Sequence, residues 1–70
     1  RKGSVSLTSG SNTVSFSIPM GDTDYIFLGF PYCYDSSGNT ISFTITERTT
    51  TGFDINVPVN CTCEYKVEAL

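Results

Sequence analysis

Apolar and polar residues alternate along most of this chain. In residues 40–46, T-I-S-F-T-I-T, the apolar positions are Ile41, Phe43 and Ile45. Beyond Gly52 the same alternation places Phe53, Ile55 and Val57 on one face, then Cys61, Cys63, Tyr65, Val67 and Ala69. Strict period-two alternation predicts strands with one face buried and the other in water. Upstream, Val5 and Leu7 alternate with Ser and Thr, and Val14, Phe16 and Ile18 share one parity before Pro19. Proline cannot donate a ladder hydrogen bond, so that strand is expected to end there. Residues 24–34 differ, because Y-I-F-L-G-F-P-Y-C-Y is apolar in both parities. A strand covered on both sides reads this way. No stretch shows a 3.6-residue apolar period, so no helix is expected.

Turn-forming residues punctuate these runs at 9–11, 20–23, 35–39, Gly52 and 58–60. The sequence therefore predicts an all-β fold, a small six-stranded antiparallel β-sandwich or flattened barrel, with residues 1–70 as one domain. If each strand runs antiparallel to the one before, the loops sort into two ends. Residues 9–11, 35–39 and 58–60 fall at one end, and 20–23 and 48–51 at the other. Gly52 is expected to hold a positive φ at a turn before alternation restarts.

Seventy residues bury only about 60% of the surface that the unfolded chain exposes. Such a domain needs a disulfide, a metal or self-association to supplement its core. The doubly apolar run at 24–34 points to self-association, with Tyr25, Phe27, Tyr32 and Tyr34 as candidate interface residues. The net charge of −3 and only four basic residues argue against nucleic acid, which requires clustered cations. No apolar run reaches the roughly 20 residues that span a bilayer, so no membrane insertion is expected. The start at Arg1-Lys2-Gly3, without Met, suggests a piece of a longer polypeptide.

Candidate chemistry is sparse. Cys33, Cys61 and Cys63 are odd in number, so at least one is unpaired within the chain. Cys61 and Cys63 lie two apart on one strand face, too far for an easy bond. Cys33 could pair with either if its strand neighbours theirs, but the favoured reading is that Cys61 and Cys63 serve as small core hydrophobes. Three cysteines without histidine or a C-x-x-C spacing do not make a zinc site, and no metal or cofactor is expected. The Asp22-Thr23-Asp24 pair reads as a turn former more readily than as a calcium site. Asn60-Cys61-Thr62 matches a glycosylation sequon at the mouth of a turn, a common match in a chain rich in Ser, Thr and Asn. With no histidine, nucleophilic catalysis lacks its conventional base, and the chain is expected not to be an enzyme.

One longer pattern adds to this. The strand at 41–46, the T-T-T-G-F run ending at Phe53, a short loop and the closing alternating strand 61–69 together resemble the H-type lectin domain and its relatives on bacteriophage tail fibres. The resemblance covers about fifty residues. It implies a six-stranded sandwich assembled as a parallel homotrimer, with glycan sites near subunit boundaries at one end. The closing strand carries Tyr65 where that family usually has Trp. Residues 57–60 lack the aromatic or His that lectin members use, and residues 40–46 hold no Arg. A sugar site therefore does not carry over residue by residue, and Asp35, Asn39 and Asn60 at the loop-rich end are the candidate ligand residues. The function implied is a non-enzymatic structural or receptor-binding module of a phage tail fibre or similar appendage, on a virion or extracellular. Its partners would be its own copies and a host-surface glycan. A secreted H-type-like lectin is the alternative.

Overall fold

The structure is a computed structural model that describes residues 2–29 and 31–69. Among these residues eight strands form where six were expected: β1 (Lys2–Leu7), β2 (Gly10–Ser15), β3 (Tyr25–Phe27), β4 (Tyr32–Tyr34), β5 (Thr40–Ile41), β6 (Thr44–Thr49), β7 (Gly52–Val57) and β8 (Cys61–Ala69). The described residues contain no helix. One sheet runs β1-β8-β4-β5, with β3 also on β8, and the other runs β2-β7-β6. Every pair is antiparallel. The inward parities of both sheets meet in one core that includes Leu7, Val14, Cys33, Phe53, Ile55, Val57, Cys63 and Val67. The molecule is an all-β sandwich of two antiparallel sheets.

The two extra strands arise from breaks inside two expected ones. Residues 24–34 do not form a single strand. Phe27 lies opposite Val67 and Tyr32 opposite Glu64, so four residues of this segment span only Tyr65 and Lys66 of β8. Gly29 takes a left-handed backbone (φ 73°) and Pro31 lacks a donor, which explains the interruption between β3 and β4. An insertion of two residues preserves side-chain parity. Tyr25, Phe27 and Cys33 accordingly all point inward, whereas Ile26 and Tyr32 are about 40% exposed. Phe30, the remaining aromatic of this run, lies outside the described residues.

The second break divides residues 40–46 into β5 of one sheet and β6 of the other, joined by residues 42–43. Ile41 and Ile45 pack against the same core from opposite sheets, so the alternation survives the crossing while Phe43 in the link stays exposed. Residues 8–9 make the matching crossing between β1 and β2 at the other edges. Ile18, expected on the buried face, is 63% exposed because β2 ends at Ser15.

Aromatic rings fill the centre. Phe53 lies 5.1 Å from Phe27, 5.5 Å from Tyr65 and 6.0 Å from Phe16, ring to ring. Phe16 also meets Tyr25 edge-on at 5.6 Å. The Tyr25 hydroxyl donates to the Gly52 carbonyl at 2.8 Å and to the Thr49 carbonyl at 3.2 Å, tying β3 to the β6–β7 turn. Arg48 closes this corner. Its Nη1 donates to the Tyr25 carbonyl at 2.6 Å, and its guanidinium sits 5.1 Å from the Phe27 ring centre and 5.5 Å from that of Tyr25. Burial pushes the Tyr25 phenol above its ordinary value, opposed by the Arg48 charge and the bond to Thr49. Tyr25→Phe keeps the ring and removes the buried bond to the Gly52 carbonyl, which retains the Thr49 hydroxyl at 3.2 Å, so a loss of about 0.5–1.5 kcal/mol is expected in chemical denaturation. A variant as stable as the wild type would show that the hydroxyl holds nothing.

Candidate functional site

The loops sort into two ends as chain direction requires. At one end the Ser9 N–H donates to Asn60 Oδ1 at 2.9 Å, and Ser9 Oγ donates to the Pro58 carbonyl at 3.0 Å. Asp35, Ser36, Asn60 and Thr62 line a single open groove there, floored by Leu7 and Cys61. At the other end the Met20 N–H donates to the Thr50 carbonyl at 2.7 Å. The turn between β6 and β7 is Thr50-Thr51, since Arg48 and Thr49 belong to β6.

Asp35 and Asn60 line this groove, while Asn39 touches it only through Asp35. Asp35 Oδ1 accepts from the backbone N–H groups of Ser37 and Asn39, both at 2.9 Å. Asn39 Nδ2 reaches Asp35 Oδ2 at 3.4 Å. The loop closes with Asp35 N–H donating to the Asn39 carbonyl and Gly38, at φ 84°, donating back to Asp35. These bonds, Asn39's first, hold the Asp35 carboxyl below its usual range. Asp35 is therefore ionised at neutral pH and largely used to shape its own loop. Asn60 Oδ1 is likewise used to join the first and last loops of this end. The free polar surface of the groove comes from Ser6, Ser36 and Thr62, which composition and alternation gave no reason to single out, while the Thr8 hydroxyl donates to Asn12 Oδ1 at 3.3 Å. The loop sorting was the available signal, since it brings 9–11, 35–39 and 58–60 together.

The candidate interface tyrosines and phenylalanine divide. Tyr25 is 1% exposed and Phe27 is packed on the core, so neither offers a contact surface. Tyr32 and Tyr34 face outward with ring centres 5.4 Å apart. Tyr32 lies directly across from Glu64 and Tyr34 from Thr62. Burial first, then Glu64, raises the Tyr34 phenol above its ordinary value.

The three cysteines are free and buried. Cys33 stands directly opposite Cys63 across β4 and β8, and Cys61 lies two residues along on the same face. Among the described residues no group of three acidic, cysteine or histidine side chains is arranged to hold a metal ion. Burial pushes the Cys33 thiol from 9.0 up to about 12, with Cys63 beside it adding to the effect. Unfolded, this thiol ionises near its ordinary value; folded, it stays protonated. The stability it supports is thus complete below about pH 9 and is lost progressively as pH rises toward the folded value. Denaturation midpoints should fall between about pH 8 and about pH 10, and Cys33→Ala should fall less steeply. An unchanged slope in that variant would assign the alkaline loss to other groups.

Compared with known protein families, curated proteins and solved structures, the chain matches none.

Proposed function

We propose that this chain is a non-enzymatic module that binds a surface ligand or holds an appendage together, working as an assembly of its own copies. The observation that carries the binding part is the loop end. Three loops from distant parts of the chain meet there, two of them bonded to each other and the third braced by its own Asp35, and the hydroxyls of Ser6, Ser36 and Thr62 surround one groove beside an ionised carboxylate. Hydroxyls and a carboxylate suit a polyhydroxylated ligand such as a glycan. The resemblance to the H-type lectin domain supports the same reading and implies a homotrimer on a phage tail fibre or similar appendage. A secreted lectin would use the groove in the same way.

A glycan array probed with the wild-type assembly tests this. Ser36→Trp fills the groove while leaving both backbone bonds to Asp35 in place, and is expected to abolish capture of any glycan bound. Capture unaffected by Ser36→Trp removes the groove as the site, and an array with no signal favours the purely structural role.

A further inference from the structure

The edges of the two sheets are treated very differently by the sequence. No charged residue occurs between Lys2 and Asp22, a stretch that holds all of β2 and all of β1 after its first residue. These two strands are the edges of their respective sheets, and the short crossing at 8–9 puts both on the same side of the sandwich. The opposite side carries β5 and β6. There β6 has Glu47 and Arg48, and its register shifts between Ile45 and Glu47. Charge and a bulge are the usual devices that keep an edge from pairing with another chain. β6 has both, β2 has neither, and β1 has only Lys2.

The unpaired groups of β2 can be assigned. The Phe16 N–H donates to the Thr51 carbonyl at 2.7 Å, one step beyond the Ser15–Gly52 pair. Bonded pairs alternate in an antiparallel ladder, so the even residues of β2 serve β7. Ser11, Thr13 and Ser15 aim their N–H and C=O groups away from the sheet, and their side chains are exposed.

We propose that this neutral side is where a second copy of the chain adds, strand to strand along β2. The proposal rests on the self-assembly part of the function reading and locates its contact. A second copy is the occupant that charge favours. β2 itself carries no charge, and the carboxylate beside it, Asp54 across from Thr13, lies on the outer face and accepts from the Thr13 hydroxyl at 2.9 Å, so a strand added at the edge brings two copies of net charge −3 together without covering a carboxylate. The outward tyrosine face is a poorer seat, because Glu64 lies across from Tyr32 and Glu68 across from Ile26, and docking there desolvates carboxylates. A β2–β2 pairing centred on Thr13 sets Ser11 against Ser15 of the other copy, and such hydroxyl pairs across strands are favourable. If three copies close a ring instead, β2 meets the β1 edge of its neighbour.

Sedimentation equilibrium and amide hydrogen exchange of the wild-type chain, each across a concentration series, test this. The expected result is an oligomer in which the Ser11, Thr13 and Ser15 amides become protected as concentration rises. The double variant Ser11→Lys, Ser15→Lys, which sets like charges opposite one another, should weaken association about tenfold or more, whereas Thr46→Lys on the opposite edge should leave it unchanged. Circular dichroism checks that each variant folds; if the double variant does not, wild-type exchange decides alone. Association with those three amides unprotected overturns the edge while leaving self-assembly standing. A wild-type monomer at millimolar concentration overturns both, and glycan capture remains a separate readout.

Discussion

Phe53→Ala is expected to leave the chain without a cooperative thermal transition. Phe53 is 1% exposed and stands between the sheets, with Phe16, Phe27 and Tyr65 all within ring contact. Truncating a core phenylalanine typically costs about 3–5 kcal/mol, because the lost transfer energy is joined by a cavity that neighbours only partly fill. A core this small rarely supplies more than about 3–5 kcal/mol in total. Thr50→Ala, three residues away, should change stability by less than about 0.5 kcal/mol. Thr50 contributes its backbone carbonyl, which accepts from Met20, and that group survives the substitution. Thermal melts showing both variants equally stable would remove Phe53 from the centre of the fold.

Gly52→Ala should be nearly as damaging, although the reason differs from the one the sequence suggests. Gly52 is absent from the glycines with positive φ, which are Gly10, Gly29 and Gly38. What excludes a side chain is close approach. A Cβ at position 52 would run into the Val14 carbonyl oxygen and lie 2.9 Å from its carbon and 3.0 Å from Ser15 Cα. All three atoms are backbone and cannot rotate aside, so β2 must move off β7 for the variant to fold. Overpacking typically costs about 1–3 kcal/mol, and here the lost ladder bonds add to it. Gly38→Ala provides the contrast: it meets open space but a backbone at φ 84°, and should lose only about 1–2 kcal/mol. If Gly52→Ala is the milder of the two, close approach is not what requires this glycine.

The alternation around Phe53, Ile55, Val57 and in Cys61 to Val67 was enough to place the buried faces of β7 and β8, because each of those strands stays in one sheet with one face in water. The same rule could not see where a strand leaves its sheet. Ile41 and Ile45 keep their parity through the crossing at 42–43, since both sheets face the same core, so the pattern reads as one strand. At 24–34 the apolar character of both parities suggested a second covered face. Part of that apolar surface is instead spent at the break, where Leu28 and Pro31 are half-buried. The loop cluster at the candidate groove was legible from chain direction. The use of Asp35 and Asn60 as internal fasteners was not, because it depends on which backbone amides the folded loops present. Arg48 was invisible for a similar reason: only β3, far away in the chain, gives its guanidinium two rings and a carbonyl.

The position of β8 bears on how the fold can be made at all. β1, β3 and β4 each take their main partner from it, yet all three precede it in the chain. As the polypeptide emerges from the ribosome, the β6–β7 hairpin and β2 can meet early, but half of the molecule waits for residues 61–69. Until then β1 and β3 have no strand to close against, and the uncharged edge of β2 is already displayed. Assembly order is thereby written into the topology: the uncharged edge of β2 is displayed before the sheet that covers its core.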